Sequence, residues 1–191
     1  MSIGAGVFGS IFCKFRYVVA RWGWVQFRPP KELDGAHWHV SPLQRTQQTA
    51  QIIGGRKIDF RTEERLIEMD FGAYEGCTLE ELRNDPAENM AANEDRGLDF
   101  LPPGGESPRM VQYRLRPFLA ELGRGGGRHV AVAHKSVIRA IFAEAYDWDM
   151  MGRPPVKLRW GQAHLFSIDC RGGLSPVRMN VPMQVVSETF S

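Results

Sequence analysis

What the chain has little of narrows the field before any motif is read. Cysteine is scarce: Cys13, Cys77 and Cys170 are scattered and odd in number. That supplies neither a disulfide framework nor metal-ligand spacing, and it implies a reducing, cytoplasmic setting. Excess charge is also lacking. With 24 Lys and Arg against 22 Asp and Glu, the net charge is +2, which points to neither nucleic acid nor a membrane surface as partner. No apolar run is long enough to span a bilayer. The stretch Ile3 to Phe12 has no basic segment before it and is interrupted by Lys14 and Arg16, so it reads as neither signal peptide nor membrane helix. The glycines between Gly123 and Gly127 lack a following Lys-Ser/Thr, and no G-x-G-x-x-G follows a first strand. P-loop and dinucleotide-binding folds are thereby disfavoured. No tract repeats.

What is present is an ordinary globular composition. The 191 residues, 43% hydrophobic and 24% charged, suit one domain with a real core. Three segments are expected: residues 1–33, 34–183 and a tail at 184–191. The first is the least patterned. Phe15 to Ala20 is a candidate strand, Arg28-Pro29-Pro30-Lys31 reads as a turn, and Trp22, Trp24 and Trp38 fall without periodicity.

Pattern sets in at His37-Trp38-His39-Val40, a short strand. Ser41-Pro42-Leu43-Gln44 then reads as a helix start, with Ser41 as N-cap, Pro42 at the first helical position and Gln44 closing a capping box. That helix runs through Arg45, Thr49 and Ile53 to Gly54-Gly55. Lys57 to Phe60 is a further short strand candidate, and Arg65 to Gly76 a loop with three carboxylates, Glu68, Asp70 and Glu75. Thr78-Leu79-Glu80-Glu81 is a second capping box, opening a helix to about Arg83, and residues 84–97 form a polar excursion. Ser107 and Pro108 start a helix whose buried stripe is Val111, Leu115, Phe118, Leu119 and Leu122. His129 to Ala133 is a buried strand, followed at His134 by a helix with Val137, Ile138, Ile141, Phe142 and Ala145 on one face. Ala163 to Ile168 and Val177 to Val181 close the chain as strands. This alternation argues for an α/β fold with a mostly parallel sheet and helices on both faces.

His134 stands at a strand-to-helix junction, where open α/β sheets bind ligands and a helix N-terminus favours an anion. By itself it reads equally as a strand-capping histidine. Arg45, in the first turn of another helix, is either an ordinary solvated arginine or a phosphate fork.

Taken in order, Ser41-Pro42-Leu43-Gln44-Arg45-Thr46 with Thr49, Glu68-Met69-Asp70-Phe71-Gly72 with Glu75-Gly76, Pro103-Gly104-Gly105-Glu106-Ser107, and Ala133-His134-Lys135 resemble the histidine phosphatase superfamily, the phosphoglycerate-mutase-like fold. The resemblance covers roughly His37 to Val181. It implies a three-layer α/β/α domain that transfers phosphoryl groups through a phosphohistidine, with no metal or organic cofactor. By resemblance, Arg45 is a phosphate arginine, His134 the second histidine that holds the phosphoryl oxygens, and Glu68 the acid/base. Arg21 and Ser107 fall at further phosphate-side positions, and the partner is a small phosphorylated molecule. Asp70 and Glu75 read as loop-ordering groups and Lys135 as a solvated lysine in place of the family's commonest glycine.

The first part of the family pattern is degraded. Where Arg-His-Gly should follow the first strand, the chain has Arg21-Trp22-Gly23. An indole carries no basic lone pair and cannot be the phosphorus nucleophile. Two accounts follow: a non-catalytic relative that keeps an anion pocket, or an altered N-terminal reading of the gene joined to a normal body. Both predict impaired phosphatase turnover. A more distant alternative is a metal-dependent hydrolase using His37 and His39, which share a strand face but have no evident further ligands at matched spacing. His129 and His164 read as structural.

Overall fold

The computed structural model describes residues 6–12, 26–28, 31–55, 57–85 and 90–186. Along it run β1 (Gly6–Phe12), β2 (Gln26–Arg28), β3 (His37–Val40), α1 (Gln44–Gly54), β4 (Arg61–Thr62), α2 (Leu79–Asn84), α3 (Met90–Glu94), α4 (Pro108–Gly125), β5 (Arg128–Ala133), α5 (Lys135–Ala145), β6 (Ala163–Ile168), β7 (Leu174–Val181) and β8 (Gln184–Val186). The main sheet has the order β4-β3-β5-β1-β6-β7. β3 pairs parallel with β4 and β5, and β1 parallel with β5. β6 is antiparallel to both β1 and β7. The sheet is therefore mostly parallel, with an antiparallel edge.

β5 shows how the layers form. Alternate side chains of a strand point to opposite faces. Val130 and Val132 pack with Ala50 and Ile53 of α1 on one face. Ala131 and Ala133 pack with Leu115 and Phe118 of α4 and with Ile138 and Phe142 of α5 on the other. All of these are buried, and fully burying a Leu or Phe contributes about 1.5–3 kcal/mol. The predicted stripe of α4 is buried throughout, and that of α5 is buried except for a partly covered Ala145.

The central slot between β5 and β6 is filled by Gly6–Phe12, a stretch beyond the expected strands, although its Val7, Phe8, Ile11 and Phe12 favour one. The strand candidate Phe15–Ala20 lies outside the described residues. Three smaller expectations are corrected. The edge strand is Arg61–Thr62, not Lys57–Phe60, because it is the backbone at Arg61 and Thr62 that pairs with His39 and Val40. The excursion at 84–97 contains α3, anchored by buried Met90 and by Asn93, whose side chain bonds both the N–H and the carbonyl of Leu101. Gln184–Val186 pairs antiparallel with Gln26–Arg28 in a second, two-stranded sheet. The loop after β4 is fastened to α4 by Arg65, which bridges Glu63 at 2.6 Å and Glu121 at 2.8 Å.

Candidate active site

The site forms at the carboxyl ends of β3 and β5, which lie side by side, so that Ser41 and His134 leave the sheet together. Ser41 does not cap α1, as its motif suggests. The N-cap position is Leu43, with no side-chain cap, and Ser41 Oγ lies 2.7 Å from Nε2 of His134. The serine is wholly buried, and its backbone N–H donates to Val132 at 3.0 Å. The long-range partner outcompetes the local cap.

His134 occupies the N-cap position of α5 and is 2% exposed. Nε of Arg45 donates to its Nδ1 at 3.3 Å. A guanidinium cannot accept a hydrogen bond, so Nδ1 is the acceptor and the ring proton sits on Nε2, donating to Ser41. Burial, then the charges of Arg45 and Arg114, pull the imidazole down to about 3. It is neutral at physiological pH.

Glu68, half-buried, approaches the same helix end. Its Oε1 accepts the Met69 N–H at 3.0 Å, and it bonds to both the backbone and the side chain of Ser136. Burial raises its pKa, against the opposing pull of Met69, Arg45 and Ser136. A carboxyl held toward its protonated form beside a cation is what a proton donor to a leaving alcohol requires. Arg45, the first turn of α5 and this carboxyl thus frame a place where an anion could be held next to an acid.

Behind Glu68 stands a brace. Arg114 of α4 donates to Glu106 at 2.9 Å and to the carbonyls of Arg65 and Ile67. Glu106 in turn accepts the Asp70 N–H at 3.2 Å. Asp70 and Glu75 order the loop, accepting the N–H groups of Gly72 and Phe71. Ser107 caps α4, its Oγ accepting the Met110 N–H at 3.2 Å. Lys135 is exposed and lies over the Trp160 ring at 5.4 Å.

The structure therefore brings together Arg45, Glu68 and His134. Ser107 serves the α4 terminus, and Arg21 lies outside the described residues. Sequence reasoning missed Ser136, Arg114 and the real partner of Ser41. Ser136 had a faint signal, as a hydroxyl two positions after His134. Arg114 had none.

His39, His129 and His164 are engaged by the fold itself. His129 Nε2 is 2.8 Å from the Gly126 carbonyl, and its Nδ1 is 3.2 Å from His39 Nε2. The carbonyl fixes the direction: His39 donates to His129, which donates to Gly126. This leaves the buried Nδ1 of His39 without a partner. His164 is buried and accepts the Asn180 N–H on Nδ1 at 3.2 Å. His37 and His39 share a face, as predicted, but His39 is committed to this relay. Among the described residues no group of three or more His, Cys, Asp or Glu is placed to hold a metal ion.

A family model for the histidine phosphatase superfamily (branch 1) matches residues 28–180. The chain belongs to the histidine phosphatase superfamily. Among curated members of the superfamily, a fructose-2,6-bisphosphatase of Saccharomyces cerevisiae is 35% identical over 104 residues, covering 54% of this chain. A 6-phosphofructo-2-kinase/fructose-2,6-bisphosphatase of Arabidopsis thaliana is 32% identical over 135 residues, covering 70%. The matched parts are only 22% and 18% of those proteins. Among solved structures, mycobacterial glucosyl-3-phosphoglycerate phosphatase aligns with a TM-score of 0.63 at 21% identity, covering 94% of this chain and 99% of that one. It has also been solved with inorganic phosphate and with VO3. The alpha-ribazole phosphatase of Shigella flexneri aligns with a TM-score of 0.64 at 19% identity, covering 91% and 96%. These two establish the superfamily fold. Among the described residues no helix is long and apolar enough to cross a membrane.

Proposed function

We propose that the chain binds a small phosphorylated molecule between Arg45 and His134, with Glu68 as the acid/base, at a site built for phosphomonoester hydrolysis but impaired in turnover. The observation that carries the reading is the convergence of the Arg45 guanidinium, the His134 ring and the Glu68 carboxyl on the first turn of α5. In the superfamily's reaction a histidine nitrogen attacks phosphorus, the P–O bond to the leaving alcohol breaks, and the acid protonates that alcohol. Its carboxylate then takes a proton from the water that hydrolyses the phosphohistidine. Arg45 and a protonated His134 would hold the phosphoryl oxygens throughout. The relatives' names span several phosphorylated compounds, so the shared element is the phosphoryl group itself. That a mycobacterial relative has been solved with phosphate and with VO3 is in keeping with a phosphorylated ligand for this fold.

Impairment is inferred from the absence of any histidine before His37: neither Cys13-Lys14-Phe15, which follow β1, nor Arg21-Trp22-Gly23 supplies the nucleophile, and the family match begins beyond both, at residue 28. On this reading residues 34–183 carry the recognisable phosphatase pattern and Gly6–Phe12 completes the sheet of the same domain, Arg21 and Ser107 contribute at most secondary contacts, and the working compartment is the cytoplasm, where the exposed free thiols of Cys77 and Cys170 stay reduced. The test combines binding with turnover. Phosphate should bind the native chain and bind at least tenfold more weakly to Arg45→Ala, while p-nitrophenyl phosphate is hydrolysed slowly or not at all. Brisk hydrolysis that survives a chelator and disappears in His134→Ala would establish an active phosphatase instead. No phosphate binding would end the reading.

A further inference from the structure

α5 has no side-chain cap of its own, because the ring of its N-cap residue, His134, is turned to Ser41 and Arg45. The donors of a helix's first turn still need acceptors, and one pair is met from outside the helix. Glu68, on the loop after β4, bonds to both the N–H and the hydroxyl of Ser136. The carboxyl beside the anion site is thus fastened to the helix turn that faces the anion.

Three donors meet this carboxyl: the Met69 N–H on Oε1 at 3.0 Å, the Ser136 N–H and the Ser136 hydroxyl. They are not equivalent. A backbone N–H only donates, so two of the three suit the carboxylate and offer no lone pair to the O–H of the acid. A hydroxyl donates or accepts as its partner requires. It is the one contact that serves both states of a group that must give a proton to the leaving alcohol and then take one from water. A hydrogen bond to an ionised group is the stronger of the two, so on balance the hydroxyl favours the carboxylate. The charged groups around Glu68 are Arg45 from α1, Arg114 from α4, Glu106 just before α4, Asp70 on the same loop and Lys135 on α5. Burial weighs most heavily on the carboxyl, and of the charges Arg45 acts on it most strongly.

We propose that Ser136 is a positioning residue for the acid/base: its N–H holds the Glu68 carboxyl on the first turn of α5, and its hydroxyl accepts from the acid and donates to the carboxylate as the proton leaves and returns. The proposal rests on the reading of Glu68 as the acid/base of a phosphate site.

The experiment follows the Glu68 side-chain carboxyl by 13C NMR in the full chain labelled at glutamate, with the signal assigned from Glu68→Gln. With no ligand added, Ser136→Ala should raise the midpoint of the Glu68 titration by about one pH unit, because a donor to the charged form is lost. Ser136→Thr, which keeps the hydroxyl, should leave the midpoint in place. Inorganic sulfate, whose own charge is constant across the titration, should bind more weakly as Glu68 ionises, and the midpoint of that loss should move with the NMR midpoint in Ser136→Ala. A serine that only fills space would move neither. Native and Ser136→Ala chains sharing one NMR midpoint, or a Ser136→Thr chain shifted as far as Ser136→Ala, would overturn the proposal alone. Sulfate binding that is absent, or undiminished in both Arg45→Ala and His134→Gln, would overturn the phosphate-site reading and the proposal with it, whatever the NMR midpoints show.

Discussion

The guanidinium of Arg114 and the carboxylate of Glu106 lie 2.9 Å apart, and each spends its remaining hydrogen bonds on the loop that carries Glu68. Arg114 takes the carbonyls of Arg65 and Ile67, and Glu106 takes the N–H of Asp70. Glu68 is therefore held from both flanks by residues that are not its neighbours in sequence.

Arg114→Ala strands the Glu106 carboxylate and two backbone carbonyls at once. It should lower unfolding free energy by about 2–4 kcal/mol in urea titrations. Arg114→Lys should recover little of it, because one ammonium cannot reproduce the planar fork to carboxylate and carbonyls. A loss of under about 0.5 kcal/mol for Arg114→Ala would show that the brace is incidental.

The same loop depends on close backbone approach. A Cβ on Gly105 would stand 2.5 Å from the Asp70 carbonyl oxygen, whereas one on Gly104 meets nothing. Gly105→Ala should cost about 2–3 kcal/mol and weaken phosphate binding. Gly104→Ala, which adds only the strain of a side chain at φ +72°, should cost about 1 kcal/mol and leave binding alone. Equal effects in calorimetry and phosphate titration would refute the proposed contact.

Stability should fall in mild acid. His39 and His164 are buried and held down to about 4 by desolvation, against about 6.5 in the unfolded chain. Between those values the unfolded state binds protons that the native state refuses. The stability is thus intact above about pH 6.5 and is lost as pH drops toward 4, by up to about 3 kcal/mol for each ring. Urea midpoints measured from pH 7.5 down to 4.5 should trace this decline, and His164→Gln, which keeps an acceptor for Asn180, should make it shallower.

Glu68 carries the opposite sign. Its pKa is raised, mainly by burial, so the carboxyl is favoured while protonated and costs stability as pH rises through its native-state pKa. Glu68→Gln should therefore raise the melting temperature at pH 7–8 and leave it unchanged near pH 4, while removing proton donation. A lower melting temperature at pH 8 would mean that the bonds from Ser136 and Met69 outweigh the buried charge.

Local signals were legible wherever the partner is also local. Thr78 and Glu81 form their reciprocal capping box as written, because both ends lie within one turn. The stripe of α4 and the helix after His134 follow from spacing alone. Ser41 carries the same kind of signal as Thr78, but a buried imidazole 2.7 Å away claims its hydroxyl, and nothing near Ser41 in the chain announces that. Arg45, Glu68 and His134 were legible as a set through their resemblance to a family motif. Arg114 and Ser136 act through contacts made by folding, so neither spacing nor composition marked them. Gly6–Phe12 became a central strand by pairing with β5 and β6; Val7, Phe8, Ile11 and Phe12 favour a strand, but Gly6, Gly9 and Ser10 break up the run that would have announced it.

That strand also sets the order in which the molecule can be assembled. Val7 meets Arg128 on one side and Ser167 on the other, and β5 and β6 reach each other only through it. A ribosome must deliver most of the chain before the first strand finds either neighbour. Until then the growing polypeptide holds two unjoined fragments of sheet with open edges. Such distant pairings slow folding and leave the incomplete chain exposed to aggregation. The sheet should accordingly close only after residues 128–168 have been made.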